Sequence, residues 1–198
     1  MFRISFILVL TLLAGSVSAQ PSAGIKAGLN LADIVMTNYV NPDVESDLTV
    51  KAGLHAGVFL ILPIEKRVGF TGELQYSNKG VSSNSRINLH YITVPLLAQY
   101  ALQNDIVLEV GPELSYMMAA TSDYGSEVGS YNNKFDLALN GGIRFDLDRW
   151  ILGLRYSAGL FSVRDRVVGG STPDRVKYQN RVLQFSLGYK LFRFDTSE

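Results

Sequence analysis

The chain has no cysteine. That excludes a disulfide scaffold, a thiolate metal site, a cysteine nucleophile and a lipid-modified N-terminal cysteine. Charge is also scarce: Asp, Glu, Lys and Arg form 18% of the 198 residues, against roughly 25% in an ordinary soluble domain. Eighteen basic and eighteen acidic side chains cancel, so the electrostatics of a nucleic-acid binder are missing and no nucleic-acid partner is expected. There are only two histidines, no HExxH, no phosphate-cradling glycine loop and no GxSxG elbow. The expectation is therefore no metal, no cofactor and no enzyme. No apolar run reaches the roughly twenty residues of a membrane-spanning helix. What is abundant is glycine (18), tyrosine (10) and phenylalanine (10), a composition of β structure with large apolar area and too few helix formers for a bundle.

Residues 1–19 carry Arg3, an apolar run from Ile4 to Ala14, and Val17, Ser18 and Ala19 before Gln20. A basic start, a short apolar middle and small residues at the end are the parts of a secretory signal peptide. The expected organisation is a signal peptide over 1–19 and one domain over 20–198, exported without a helical anchor.

From Ile25 onward apolar and polar residues alternate with the period of a strand. Ile25, Ala27, Leu29 and Leu31 oppose Lys26, Gly28 and Asn30, and Leu54, Ala56 and Val58 oppose Lys51, Gly53, His55 and Gly57. The same grammar recurs from Val68 to Tyr76, Tyr91 to Tyr100, Ile106 to Tyr116, Phe135 to Asp146, Trp150 to Ser157 and Leu183 to Leu191, which makes eight strands. Long polar connections (33–49, 80–88, 119–133, 161–180) follow the odd strands, and tight links near 63–67, 103–105 and 146–149 follow the even ones. Long loops on one side and short turns on the other predict an all-β fold, an eight-stranded antiparallel up-and-down transmembrane β-barrel with both termini periplasmic.

A soluble barrel alternates too, so the polar set must decide which face is inside. One parity holds Lys26, Lys51, Arg144, Arg155 and Lys190 with Glu73, Glu109, Glu113, Asp136 and Asp146, five of each sign, and His55 beside them. The other parity is essentially uncharged within the strands. Balanced ions are suited to pairing in an interior just wide enough for side chains. Gly28, Gly53, Gly57, Gly111, Gly142, Gly153 and Gly188 share that parity and are expected to make room for the long ions. The predicted inward polar network is these ten charged residues with His55. Arg144, Arg155 and Asp146 are its expected cluster, level with Lys190. Aromatics near the strand ends (Phe70, Tyr100, Phe145, Trp150 and Tyr189 below, Tyr76, Tyr116 and Phe135 above) sit where interfacial girdles belong.

The sequence also resembles the PorT-like outer-membrane β-barrel family of Gram-negative bacteria. The residues that carry the resemblance are Gly24–Asn30, Gly53–Gly57, Pro63–Ile64, Glu73–Gly80, Leu89–Leu97, Gly111–Tyr116, Asn140–Gly142, Leu154–Ser157 and Leu183–Tyr189. It spans nearly all of 20–198 and implies outer-membrane location and an eight-stranded barrel. It does not imply a reaction: the name-giving member is associated with protein secretion and gliding. The tail Arg193–Glu198 departs from barrels that end on an aromatic, with Phe192 or Phe194 left to serve as the assembly signal.

The expected function is thus an integral outer-membrane barrel with a structural or interaction role, including accessory work in secretion or a surface complex. Its expected partners are outer-membrane lipid, the barrel-assembly machinery and a secretion or surface-complex component. A small-solute channel is the alternative, disfavoured by a lumen full of ions. An outer-leaflet lipid-modifying enzyme ranks below it, since His90 falls on the lipid-facing parity without a serine or acid to complete a catalytic set. His55 reads as a hydrogen-bonded filler, and Pro95 and Pro112 as bulge or edge-register devices. The connection 33–49 is acidic through Asp33, Asp43, Glu45 and Asp47, and 161–180 basic through Arg164, Arg166, Arg175 and Lys177.

Overall fold

The computed structural model describes residues 20–38, 50–82, 86–122, 125–126, 134–160, 164–168 and 174–194. The signal-peptide segment, most of the acidic connection and part of the basic one lie outside these residues. Among the described residues there are ten strands: β1 Ser22–Asn38, β2 Lys51–Pro63, β3 Val68–Ser82, β4 Arg86–Gln103, β5 Ile106–Ser122, β6 Gly125–Ser126, β7 Phe135–Leu147, β8 Trp150–Gly159, β9 Arg164–Val168 and β10 Asp174–Arg193. Eight of them run antiparallel in the order β1-β2-β3-β4-β5-β7-β8-β10, and β10 pairs back onto β1. That last ladder closes the sheet, so the wall offers lipid no unpaired edge. Among the described residues, short β6 pairs with β5 and short β9 with β10, above the barrel.

Alternation sets the two faces. Leu139 is half exposed while its neighbour Asn140 is 1% exposed, and a one-residue step across a pleat is all that separates them. Outward apolar side chains from every barrel strand, such as Leu29, Leu54, Leu74, Val110, Leu152 and Leu187, form the belt. Tyr76 pairs across to Ile92, Ile92 to Tyr116 and Tyr116 to Phe135, which aligns three aromatics in one row on the loop side. The Tyr116 and Phe135 rings lie 5.0 Å apart. On the turn side Trp150 meets Tyr189 edge-on at 4.9 Å.

Two expectations are corrected. The polar stretches 33–49 and 161–180 are in part strand: β1 pairs with β10 as far as Asn38 and Val176, and β9 pairs with β10 from Asp174 to Tyr178. Beyond the membrane neither lipid nor a filled lumen demands alternate apolar residues, so the ladder continues without its hydropathy period. The prolines, in turn, sit at gaps and not at register shifts. The β3–β4 ladder skips Glu73 and Leu74, opposite Pro95 and Val94, and the β4–β5 ladder skips Leu96 and Leu97, opposite Pro112 and Gly111, because proline has no N–H to donate. The register shifts of β4 against β5 fall instead at His90/Tyr91 and Ala101/Gln103.

The luminal ion network as candidate functional site

Inward parity delivers charged side chains from six barrel strands to the middle of the lumen. Arg155 on β8 takes Glu73 of β3 bidentately, at 2.8 and 2.9 Å, and reaches Glu109 of β5 at 2.8 Å with the same Nη2. The planar guanidinium suits this role, since its donors are fixed in one fork. Lys26 on β1 donates to both Glu73 oxygens at 3.1 Å. Arg144 on β7 donates to Glu109 at 2.9 Å and to Asp146 at 3.2 Å, and Lys190 on β10 lies 3.3 Å from Asp146. The result is one unbroken chain of alternating sign, Lys26, Glu73, Arg155, Glu109, Arg144, Asp146, Lys190. Gln75 donates to Glu73, and Gln99 accepts from Arg144 at 3.3 Å.

A second layer lies nearer the loops. Lys79 pairs with Glu113 at 2.7 Å, and Glu113 also accepts from Asn140 at 3.0 Å and Ser115 at 3.2 Å. The Lys79 ammonium stands 5.3 Å from the centre of the Tyr91 ring. Asp136 accepts from Asn180 at 3.0 Å. His55 Nδ1 meets Asn30 Oδ1 at 2.8 Å, while Asn30 Nδ2 donates to Ser77 Oγ at 3.0 Å. Because that amide oxygen is the acceptor, the His55 proton sits on Nδ1.

Below the ions, toward the turns, Phe59, Ile61 and Ile151 form an apolar cluster in the lumen. A Cβ on Gly24 would stand 2.6 Å from Phe59 Cζ, and one on Gly28 would stand 1.9 Å from the Phe185 carbonyl and 2.7 Å from the His55 ring. These glycines thus admit the Phe59 and His55 rings. The expectation that inward glycines serve the long ions holds for Gly142, where a Cβ would meet the Arg155 side chain at 3.2 Å.

Ten of the eleven network residues named from sequence therefore face the lumen, and the eleventh, Lys51, does not join them. Its ammonium donates to Asn78 Oδ1 at 3.2 Å, to the Lys79 carbonyl at 3.4 Å and to Asn88 Oδ1, so it ends on the outer wall. Lys79 takes its place inside. The count of five basic and five acidic luminal residues is thereby kept, with Lys26, Lys79, Arg144, Arg155 and Lys190 against Glu73, Glu109, Glu113, Asp136 and Asp146. Lys79 was legible: continuing the parity of Glu73, Gln75 and Ser77 by one step reaches it. The expected trio is also corrected. Arg144 and Arg155 do meet, but through Glu109, and Asp146 pairs with Arg144 and Lys190 instead of Arg155.

A balanced, filled lumen inside an apolar belt is an outer-membrane arrangement, and comparison agrees. The family model for the outer membrane protein beta-barrel domain matches residues 18–165. The chain belongs to this family. Among solved structures it is similar to Neisserial surface protein A, with a TM-score of 0.55 and 14% identity over 86% of this chain and 99% of that one. It is also similar to Ail, the attachment invasion locus protein of Yersinia pestis, with a TM-score of 0.52 and 14% identity over 87% and 99%. At such identity the likeness is one of fold, an eight-stranded barrel. No curated protein matches the chain in sequence.

For an outer-membrane barrel of this family, the lumen is the place to look for transport. Between Lys26, Glu73, Glu109, Arg144 and Arg155 and the apolar cluster, the void is about 20 Å³. On the turn side a vestibule of about 190 Å³ opens among Ser22, Pro63, Arg67, Gln99, Asn104 and Lys190 and ends on Arg144 and Asp146. Among the described residues no group of three His, Cys, Asp or Glu side chains is placed to hold a metal ion.

Proposed function

We propose that the protein is a plugged outer-membrane barrel with a structural or interaction role, acting through its wall and loops and not through its lumen. The observation that carries this reading is the ion chain from Lys26 to Lys190, beside a void of about 20 Å³, room for about one water. Moving a solute past it means separating paired ions in a narrow interior. The resemblance to PorT-like barrels supports accessory work in protein secretion or a surface complex. Outer-membrane lipid, the barrel-assembly machinery and a component of such a complex are the partners proposed, with the long connections outward. No catalytic role is part of the reading.

A small-solute channel is the second reading, favoured by the vestibule that reaches Arg144 from the turn side. Planar-bilayer recording of the refolded barrel separates the two. The plugged reading expects no steady conductance above the bare bilayer. A large, steady, ion-dependent conductance would overturn it and put the channel first.

A further inference from the structure

The turn-side vestibule is a recess with a surplus of positive charge. Lys66, Arg67, Arg144 and Lys190 line it against Glu65 and Asp146, four basic side chains to two acidic ones. Low-dielectric walls concentrate such a field in a cleft more than on an open surface.

Lys66 and Arg67 stand at the mouth, on the turn between β2 and β3. Ile64 and Glu65 both donate their N–H to the Val68 carbonyl at 2.9 Å, and the Ala101 N–H reaches the Arg67 carbonyl at 2.7 Å. The turn is thus tied to itself and to β4, and it carries its side chains on a fixed backbone. Lys66 and Arg67 are exposed, and neither side chain has a partner among the described residues. Glu65, exposed on the same turn, offsets one of the two charges.

Arg144 and Lys190 form the floor. The ion chain holds four cations and three anions, and its turn-side end is Lys190, which has one counter-ion among the described residues where Arg144 and Arg155 each have two. Asp146 Oδ1 lies 3.3 Å from the Lys190 ammonium but accepts no hydrogen bond, and the Arg144 Nε–H finds no acceptor. An ammonium carries three N–H donors, so the floor keeps donors unspent. The space above them is about 190 Å³, room for several water molecules or for a guest of comparable size.

We propose that the vestibule binds a small anion bearing carboxylate or phosphate groups, with the Lys190 ammonium taking an oxyanion at the floor beside Arg144 and with Arg67 and Lys66 holding its charge at the mouth. Oxyanions are the fitting groups because the unspent contacts of the floor are N–H donors and the surplus charge is positive. Binding there needs no passage through the lumen. Conductance therefore tests the plugged reading and a titration tests this one, so either can fail alone.

The test is an NMR titration of the folded barrel in zwitterionic micelles at low ionic strength, with isotope-labelled glycine as reporter. Gly69 lies in the wall of the vestibule, and Gly53, toward the loops, reports any general effect. Succinate or inorganic phosphate should shift the Gly69 amide saturably and leave Gly53 in place; saturation by either supports the proposal and tells which oxyanion the site takes. Lys190→Gln should weaken binding about tenfold, the loss of one charge-assisted contact, and Arg67→Gln about threefold, since a contact at the mouth stays solvated. Glu65→Gln should tighten it, and Lys51→Gln, at the loop side, should leave it unchanged. Heat-modifiable gel mobility checks folding. Should Lys190→Gln not fold, Arg67→Gln and Glu65→Gln, in an exposed turn outside the ion chain, decide by moving affinity in opposite directions. No saturable shift of Gly69, an equal shift with sodium chloride at the same ionic strength, or unchanged affinity in the folded vestibule variants would each overturn the proposal.

Discussion

Replacing Lys79 by Met removes the cation from the most deeply enclosed pair in the barrel, with side-chain exposures of 1% and 0% for Lys79 and Glu113. At 2.7 Å the two charges attract by about 6 kcal/mol at an effective dielectric of about 20, and by only about 1.5 kcal/mol in bulk water. Desolvation offsets much of the larger figure, but removing one partner strands the other, a cost of about 3–5 kcal/mol for a buried pair. Asn140 and Ser115 still donate to Glu113, so the lower end, about 3 kcal/mol, is expected for Lys79→Met. Glu113→Gln should cost a similar amount, because the ammonium then has a neutral amide oxygen and the Tyr91 ring beside it but no counter-charge. The double variant Lys79→Met/Glu113→Gln should cost less than the sum by about 2 kcal/mol. Urea unfolding from lipid vesicles, followed by the single tryptophan, Trp150 on the outer wall, reads all four proteins. Single losses under about 1 kcal/mol that simply add would show that these ions are solvated as on a surface, and the filled-lumen argument would fall.

Leu139→Arg, mid-belt on the lipid face, should destabilise by about 2–4 kcal/mol, whereas Asn140→Ser should cost about 1 kcal/mol, because Glu113 retains Lys79 and Ser115; equal costs would mean the faces are misassigned. In this cysteine-free chain, Ser126→Cys should react with a membrane-impermeant thiol reagent on intact cells and Asn104→Cys should not; equal labelling refutes the orientation. Expected loop-side cysteines at Ser83 and Ser171 lie outside the described residues and give the same readout. At the β7–β8 turn, Asp148 adopts φ 55°, a left-handed value that Asp tolerates, and the hydrogen bond from Arg193 at 2.6 Å, then its charge, holds the Asp148 carboxyl below its usual 3.8. A lowered folded value means the contribution is complete above the ordinary carboxylate range and is lost as pH falls through the folded value. Asp148→Asn should therefore show a smaller acid-side drop in unfolding midpoint between neutral pH and about 2; an identical drop in both proteins refutes the link.

The barrel itself was legible in the sequence because each strand has to satisfy lipid on one side and a narrow interior on the other. That double demand writes itself into every second residue, from Lys26 and Asn30 to Gln184 and Gly188, and the alternation of long and short connections adds the topology. Parity is a local property, so it named nine of the ten luminal charges, and His55 with them, without reference to any other strand. It does not see apolar residues on the inward face, so Phe59, Ile61 and Ile151 went unnamed although they fill the lumen below the ions.

Tertiary structure alone decided which charges meet. Arg155 and Glu73 are 82 residues apart, and they face each other only because closure of β10 onto β1 sets the tilt and stagger of every strand. Reasoning from adjacent strands placed Arg155 with Asp146, while the closed cross-section carries the guanidinium past that neighbour to Glu73 and Glu109. Lys51 escaped its parity for a related reason: the β2–β3 ladder stops at His55 and Ser77, and a side chain at the end of an interrupted ladder follows the available acceptors, which here lie on the outer wall.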